Sequence, residues 1–309
     1  MVNELLFLAE PATLPIDSGM HRIKHHLPKL VIETYGGTLV FADHTPDGAW
    51  RNQAAALTGK IPFSILYKWR NSTKYRERNG IMLSGSPDTM IVEHGVKYFI
   101  DLTLNQDTSF YGDTRNLRQY LLENSSGKRV LNTFAYTGSL GVAALAGGAA
   151  GVMQTDLSVK FMTLASRSLA LNDLDITKMS VVKGNFFPVI SELRKSGMLF
   201  DTVILDPPFF SQSSKGTVDL LNSPVALVNK VRPVVADNGV IIMVNNALYL
   251  SGEKFLAAAD ALCDGQYLQR ERSISIPEEF CQSDSMVADP APFNHPTKII
   301  VFRVRRKGC

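Results

Sequence analysis

The strongest constraint on the fold is a regular alternation of short apolar strand patterns with helical patterns, which begins near residue 106. Units of this length predict an α/β fold, namely a doubly wound, mostly parallel, seven-stranded Rossmann-like sheet with helices on both faces. The last two strands are expected to pair antiparallel at one edge. The predicted strands are 129–134, 151–154, 179–183, 202–205, 240–244, 267–274 and 298–304, and the predicted helices are 139–146, 159–172, 188–195, 223–234 and 253–262.

The earlier part of the chain has a different pattern. Residues 29–105 consist of short β-type runs broken by Gly and Pro, which predicts a small β-rich domain. Residues 1–28 contain three prolines and show no sustained period, which indicates an irregular arm. We therefore expect an arm at 1–28, a β-rich substrate-recognition domain at 29–105 and an α/β domain at 106–309.

Composition narrows the class of protein. Hydrophobic residues make up 45% of the 309 residues and charged residues 20%, as in soluble globular proteins. No apolar run reaches the roughly 18–20 residues that span a membrane, and Glu4 argues against a signal peptide. Three widely spaced cysteines, Cys263, Cys281 and Cys309, indicate neither a disulfide framework nor a zinc site. These features predict a cytoplasmic protein without a metal centre.

The chemistry is expected at the carboxyl ends of the strands, where open parallel sheets bind ligands. The first strand runs into Asn132-Thr133-Phe134-Ala135-Tyr136-Thr137-Gly138, which lacks the glycine patterns that hold a pyrophosphate or triphosphate. The second ends at Asp156, whose carboxylate suits the two hydroxyls of a ribose. Asp156 or Ser158 equally suits the N-cap of the following helix, so both interpretations stay open.

The fourth strand ends in the most specific motif, Asp206-Pro207-Pro208-Phe209-Phe210. Consecutive prolines stiffen the backbone and remove two donors, which leaves carbonyls and the Asp206 carboxylate to accept from a substrate N–H. A neighbouring phenylalanine ring suits stacking on a planar base. The alternative is a rigid turn with a buried phenylalanine. After the third strand, Asn185 and Phe186 suit the edge and face of an adenine ring.

Together these segments resemble the motifs of class I S-adenosylmethionine-dependent methyltransferases. More narrowly, the segment from Asn132 to Gly138, Asp156-Leu157-Ser158 and Asp206-Pro207-Pro208-Phe209 resemble the RlmI-like and RlmK-like branch, which modifies large-subunit ribosomal RNA. Upstream, Asp107-Thr108-Ser109-Phe110-Tyr111-Gly112-Asp113-Thr114-Arg115 resembles that branch's Thr-Gly-aromatic-aromatic-x-Asp-Gln-Arg segment. The similarity covers roughly residues 30–304. It implies that 106–309 is a catalytic domain that binds S-adenosylmethionine.

The resemblance also implies a role for each matched residue. Asp206 would lie beside the transferred methyl group, and the catalytic set would be Asp206, Pro207, Pro208, Phe209 and Asn245. The cofactor would be bound by Phe110, Asp113, Arg115, Phe134, Tyr136, Thr137, Gly138, Asp156, Leu157, Ser158, Asn185, Phe186 and Asp206.

The chain departs from the branch's pattern in several places. Ser109 and Thr114 replace the usual Gly and Gln, and Asn185 replaces a usual Asp, so we expect weaker cofactor binding but not its loss. Only 28 residues precede the predicted β-rich domain. A domain normally needs about 50 or more, so we expect the N-terminal PUA domain of RlmI-like enzymes to be absent.

The acceptor is predicted from the chemistry that the chain offers. Methylation of cytosine carbon 5 needs a thiolate nucleophile, but Val244-Asn245-Asn246-Ala247 follows the fifth strand where RlmI-like proteins carry a cysteine. A base nitrogen, with guanine favoured, is therefore the expected acceptor, and Cys281 is the candidate nucleophile of the alternative reaction. In-line methyl transfer needs positioning and a lone pair but no metal.

A basic segment from Tyr67 to Arg78 suits RNA, because five cations and one acid alternate with three aromatic residues. A solvated face with Tyr67 and Trp69 turned inward is the alternative. The same two interpretations apply to the C-terminal cations Arg303, Arg305, Arg306 and Lys307. The leading hypothesis is a ribosomal RNA methyltransferase, and its rivals are a small-molecule or protein methyltransferase and a non-catalytic RNA-binding protein.

Overall fold

The computed structural model describes residues 4–10, 13–15, 17–281 and 295–306, so Lys307 and Cys309 lie outside the described residues. The chain divides into two compact units, Met1–Gly112 and Asp113–Cys309. Within the described ranges, no helix is both long enough and apolar enough to cross a membrane.

The first unit is built on a five-stranded sheet of order β1-β2-β3-β4-β5, in which only β3 and β4 pair in parallel. A separate ribbon joins β6 and β7. The strands are β1 (Met20–Arg22), β2 (Leu30–Tyr35), β3 (Thr38–Asp43), β4 (Ser64–Trp69), β5 (Ile81–Ser84), β6 (Met90–Glu93) and β7 (Val96–Phe99), and the helices are α1 (Arg51–Ala55) and α2 (Tyr75–Asn79).

The N-terminal segment is part of this unit and does not form an arm. A 3-10 helix, Glu4–Ala9, buries Leu5 and Leu8 in the apolar cluster that also contains Ile32 and Phe41. Strand β1 then adds to the sheet beside β2. Sequence reasoning missed both elements because a three-residue strand and a six-residue 3-10 helix are too short to show a period.

The boundary between the units falls at residue 112, seven residues beyond the expected 105, because polar contacts hold residues 105–108 in the first unit. The Lys68 ammonium donates to the carbonyls of Asn105 and Asp107 at 3.1 and 2.8 Å. Tyr35 Oη lies 2.5 Å from Thr108 Oγ1, within hydrogen-bonding distance.

The second unit contains the predicted seven-stranded sheet, with order β10-β9-β8-β11-β14-β16-β15. Its first five strands are parallel, and the last two form the predicted antiparallel edge. The strands of this sheet are β8 (Arg129–Thr133), β9 (Gly151–Asp156), β10 (Met179–Lys183), β11 (Phe200–Leu205), β14 (Val235–Asn245), β15 (Leu268–Ile274) and β16 (Lys298–Val304), with β12 (Phe210–Ser213) and β13 (Gly216–Asp219) forming a separate hairpin. The helices are α3 (Arg115–Asn124), α4 (Ser139–Ala146), α5 (Thr163–Leu171), α6 (Phe186–Lys195), α7 (Ala226–Val231) and α8 (Gly252–Cys263).

Close packing of α4 on β9 requires small residues. A Cβ at Gly138 would lie 2.7 Å from both Ala165 Cβ and Gln154 Nε2, and one at Gly141 would lie 2.6 Å from Gln154. Gly138 therefore allows helix and sheet to approach each other, in addition to adopting a left-handed φ of 80°.

The expected helix at 223–234 is shorter than predicted. It ends at Val231, and a 3-10 turn, Arg232–Val234, follows. Pro233 lacks the N–H that would continue the α-helical hydrogen bonding.

Candidate active site

The predicted site residues that follow the strands of the second unit lie at the carboxyl edge of its sheet. Strand order reverses on either side of β8, and five parallel strands direct their ends to this edge. Phe134 follows β8, Asp156 ends β9, Gly184 follows β10, Asp206 follows β11 and Asn246 follows β14. This is where doubly wound sheets bind ligands.

The loop after β8 is held in an unusual conformation beside Asp156. Phe134 and Tyr136 have φ values of 54° and 52°, a region that residues other than glycine rarely occupy. The Tyr136 N–H donates to Asp156 Oδ2 at 2.9 Å, and the Ala135 N–H donates to the Thr155 carbonyl at 3.0 Å. Strain of this kind persists where surrounding contacts fix it, commonly at functional sites.

The Asp156 carboxylate accepts hydrogen bonds from the local backbone and can still accept others from a ligand. Its Oδ1 accepts from the Ser158 N–H at 2.8 Å, so it orders the start of the next turn, while Ser158 itself makes no side-chain cap. Each carboxylate oxygen has two lone pairs, which leaves further acceptor sites at a half-buried carboxylate. The two interpretations of this residue are therefore compatible. Leu157 beside it is 65% exposed.

A pocket of about 370 Å³, including space open to solvent, lies against these strand ends. Five of the predicted cofactor residues line it together with seven others. The full lining is Phe134, Thr155, Asp156, Leu157, Gly184, Asn185, Phe186, Phe187, Ser211, Ser213, Gly216 and Val218.

One wall of the pocket, the β12–β13 hairpin, was missed by sequence reasoning. Ser211 pairs with Val218 and Ser213 pairs with Gly216, so these four lining residues share one face of the ribbon. A Cβ at Gly216 would lie 2.5 Å from the Phe187 ring, so the hairpin approaches helix α6 very closely. Its strands are short and mostly polar, so the sequence carried no periodic signal that could have revealed the hairpin.

Asn185 and Phe186 line the pocket at the start of α6. Asn185 Oδ1 caps the helix by accepting from the Phe187 N–H at 3.1 Å, and its Nδ2 lies 3.3 Å from Ser213 Oγ. The Phe186 ring stacks on Phe134 with centroids 4.9 Å apart. The amide therefore already has a structural role, and its contact with adenine stays a prediction.

Asp206 is half-buried beyond β11 and has an altered acidity. Burial and the nearby Asp113 carboxylate raise its pKa to about 7, although the Arg118 guanidinium opposes the shift. Among the described residues, none donates a hydrogen bond to this carboxylate. Asp113 in turn accepts from Thr297 Oγ1 at 2.6 Å. A carboxyl group that titrates near neutral pH is suited to exchange a proton with a substrate.

In the segment 107–115, which resembles the branch's upstream motif, the local structure accommodates Ser109 and Thr114 in place of the usual Gly and Gln. Ser109 adopts a φ of 61° at the position of the usual glycine, and its Oγ accepts from the Asp101 N–H at 2.9 Å. Thr114 accepts from the buried Arg118 at 2.8 Å. Arg115 forms an ion pair with Glu279. Phe110 belongs to the first unit and is buried against Tyr98 with centroids 5.1 Å apart, so its contact with the cofactor stays a prediction.

The double-proline motif presents its aromatic residues to solvent. Pro207 is buried and Pro208 exposed, while Phe209 and Phe210 are 42% and 53% exposed. The alternative of a turn with a buried phenylalanine is wrong, because neither ring is buried.

Asn245 is fully buried. Its amide donates to the carbonyls of Leu220 and Pro224 at 3.0 and 3.3 Å, and it accepts from the Ala247 N–H at 2.9 Å. Its geometry is that of a residue that braces the neighbouring loops, and not one that offers its amide to an acceptor.

The basic segment of the first unit is only partly available to RNA. Tyr67 is buried and donates to Asp43 at 2.6 Å, and Lys68 is fully buried. Arg70 donates to the Gln106 carbonyl and forms an ion pair with Asp107. The inward-turned interpretation therefore holds for Tyr67, and Trp69 is half-buried against the same apolar core, with its Nε1 donating to the Thr45 carbonyl at 3.0 Å. Lys74, Tyr75 and Arg76, at the start of α2, remain exposed and are called the α2 basic patch.

Comparison with known proteins identifies the family. The model of the family described as S-adenosylmethionine-dependent methyltransferase matches residues 66–289. This chain belongs to that family. Ribosomal RNA large subunit methyltransferase I of Aeromonas salmonicida is 34% identical over 196 residues, covering 60% of this chain and 50% of that protein. Ribosomal RNA large subunit methyltransferase K of Neisseria meningitidis is 32% identical over 229 residues, covering 73% of this chain and 63% of that protein.

The chain thus spans about half to two thirds of the length of these curated relatives. Among solved structures, SMU.776 complexed with SAH aligns with a TM-score of 0.80 at 22% identity, covering 94% of this chain and 76% of that one. The tRNA m1G37 methyltransferase of M. jannaschii aligns with a TM-score of 0.57 at 15% identity, covering 89% of this chain and 74% of that one. At these identities the two structures show a shared fold.

The residues at the carboxyl edge fit the family's cofactor. An adenosine needs acceptors for two ribose hydroxyls and a slot for a flat ring, and the pocket offers the Asp156 carboxylate and the Phe186 ring. The loop after β8 offers no cluster of glycines for phosphates, which S-adenosylmethionine does not carry. The predicted cofactor class is confirmed by the family.

Proposed function

We propose that this protein transfers a methyl group from S-adenosylmethionine to a base nitrogen, with guanine favoured, in an unpaired nucleotide of ribosomal RNA. The observation that carries the proposal is Asp206, a carboxyl group with a pKa near 7 that is followed by two prolines and two exposed aromatic rings. A hydrogen-bonding edge beside exposed rings matches the shape and chemistry of a nucleobase.

The mechanism requires little beyond positioning. When bound, the cofactor would supply an electrophilic methyl group on a sulfonium, and the transfer would break the S–C bond and leave S-adenosylhomocysteine. Asp206, in its carboxylate form, accepts the N–H of the acceptor nitrogen and takes its proton as the new N–C bond forms. The Pro207 carbonyl offers a second acceptor, since a proline supplies no competing N–H. Phe209 or Phe210 stacks on the base, which must leave any duplex to be reached.

The names of the relatives support an RNA acceptor, because both are methyltransferases of large-subunit ribosomal RNA. The M. jannaschii neighbour is named for a modified guanine. In the first unit, the α2 basic patch supplies two cations and an aromatic ring suited to phosphates and unpaired bases.

Cytosine carbon 5 methylation through Cys281 is the alternative reaction. The Cys281 Sγ lies 3.9 and 3.7 Å from the carbonyls of Ile276 and Pro277, within its own turn. Both carbonyls are acceptors, which suits the neutral thiol as a donor, so we prefer the nitrogen reaction. Methylation of a small molecule or a protein is the remaining rival.

The test is to incubate the protein with radiolabelled cofactor and fractionated cell extract, and then to digest the labelled fraction with nuclease or protease. The proposal predicts label that nuclease releases, with ribosomal RNA the main carrier. Label released by protease alone, or found only in small molecules, would contradict it.

A further inference from the structure

The turn that follows β14 lies beside the double-proline motif and has no role in the mechanism so far. β11 and β14 are parallel neighbours, with Leu205 opposite Met243. The chain segments that leave these two strands therefore start side by side at the carboxyl edge.

In this turn two exposed side chains lie between two buried ones. Ala247 is fully buried and Leu250 is 4% exposed, whereas Leu248 and Tyr249 are 49% and 56% exposed. The Leu250 N–H donates to the Ala247 carbonyl at 3.3 Å and closes the turn. Buried Asn245 fixes its base through the bonds described above. The turn is thus anchored by its own backbone and core residues, and it presents Tyr249 without needing it for packing.

The same turn contains a polar atom that lacks a partner. Asn246 Oδ1 is closed off from solvent and accepts no hydrogen bond within the described part of the chain. A buried acceptor left in this state is unfavourable, and such groups in native proteins commonly mark functional positions. A ligand that carries an N–H donor would give Asn246 Oδ1 its missing hydrogen bond after a small rotation of the side chain.

We propose that this turn forms the second half of the acceptor site, with Tyr249 stacking on the same unpaired RNA base that Phe209 or Phe210 contacts and Asn246 Oδ1 accepting from its edge. This inference rests on the proposed function and adds two recognition residues to it. A nucleobase is the occupant that uses all of these groups, because it combines flat faces with N–H donors at its edge. A peptide acceptor has no such faces.

The decisive experiment measures methyl transfer to protein-free large-subunit ribosomal RNA by wild type, Tyr249→Ala, Tyr249→Phe and Asn246→Ala. Tyr249→Ala removes the ring on which the base stacks and is expected to raise KM for RNA on the order of 10-fold. Tyr249→Phe should stay near wild type because it keeps the ring. Asn246→Ala should also raise KM, without lowering the Tm of the free protein, since it removes an unsatisfied atom.

Two controls separate a recognition role from a structural one. Ile176→Ala removes another exposed apolar side chain, 55% accessible, from the turn before β10 at the opposite edge, and should leave KM unchanged. The affinity for S-adenosylhomocysteine should be the same in all variants. Stacking quenches the fluorescence of 2-aminopurine. When the protein binds a single-stranded oligoribonucleotide that contains this base, the quenching should be weaker with Tyr249→Ala and close to that of wild type with Tyr249→Phe.

Failure of the inference differs from failure of the proposed function. If wild type methylates the RNA and Tyr249→Ala has an unchanged KM, the assignment of this turn to the acceptor site is wrong, and the proposed function is unaffected. If Tyr249→Ala loses cofactor affinity or Tm, the residue is structural and the inference fails. If wild type methylates protein and no RNA, the proposed function fails.

Discussion

The raised pKa of Asp206 predicts how the rate of methyl transfer depends on pH. If its carboxylate accepts the acceptor proton, kcat should rise with pH through an apparent pKa near 7, the value to which burial and Asp113 raise the pKa of this group. Asp206→Asn should lower kcat and abolish this rise. An identical pH profile in the variant would contradict the assignment.

The same pKa has a consequence for stability. Because the folded state holds this proton up to about pH 7 and the unfolded chain releases it near pH 4, wild type should lose stability relative to Asp206→Asn as pH rises from 4 to 7. Denaturant unfolding at several pH values measures this difference.

Asp156 should dominate cofactor binding. Its carboxylate offers charged hydrogen bonds to a ribose and also holds the Tyr136 N–H, so Asp156→Ala should weaken S-adenosylhomocysteine binding roughly 10- to 100-fold. Calorimetric titration checks this. Asp264→Ala, at an exposed aspartate after α8, is the matched control. Equal affinities of the two variants would remove Asp156 from the site.

At the scale of elements, the β12–β13 hairpin should control the shape of the cofactor pocket. Gly216→Ala places a methyl group against the Phe187 ring and should displace the hairpin, which weakens S-adenosylhomocysteine binding. Gly151→Ala, whose Cβ would lie 3.6 Å from its nearest neighbour, is the control. Calorimetric affinities that do not differ between these variants would show that the hairpin is no part of the binding site.

Strand β4 contributes a buried lysine whose titration should be visible in the first unit. Burial, the largest effect, and the nearby Arg70 charge lower the pKa of Lys68 to about 7. The unfolded chain therefore binds more protons between pH 7 and about 10.5, and stability should rise with pH in that window. Both tryptophans, Trp50 and Trp69, lie in this unit, so their fluorescence reports its unfolding. Lys68→Met should flatten the rise in the free energy of unfolding between pH 7 and 9. Parallel slopes of this free energy against pH in wild type and variant would contradict the prediction.

The elements that could be predicted from sequence were those with a long apolar period. The central strands of the second sheet follow from that pattern, because buried strands such as β11, β14 and β16 are largely continuous runs of apolar residues. The more exposed edge strands β10 and β15 were also predicted, from their place in the regular succession of strands and helices. The hairpin carrying Ser211 and Ser213 could not be predicted, because short polar strands have no such period. The internal roles of Lys68 and Asn245 could not be predicted either, since burial of a polar side chain depends on partners distant in sequence.

For the whole molecule, RNA affinity should depend on salt in a way that identifies the contacts. Each phosphate contact on a single strand contributes about 0.7 to the slope of log affinity against log salt. Lys74→Ala combined with Arg76→Ala should therefore reduce the slope by about 1.4 if both residues of the α2 basic patch bind phosphate. Lys60→Ala, at another exposed lysine of the first unit, should leave it unchanged. A slope that the double variant does not alter would exclude the patch.

The most direct test of the account is nucleoside mass spectrometry of ribosomal RNA incubated with wild type or Asp206→Asn and a cofactor that carries a deuterated methyl group. We predict a heavy methyl group on a base nitrogen, produced by wild type and greatly reduced by the variant. A heavy methyl group on cytosine carbon 5, or equal labelling by the two proteins, would contradict the account.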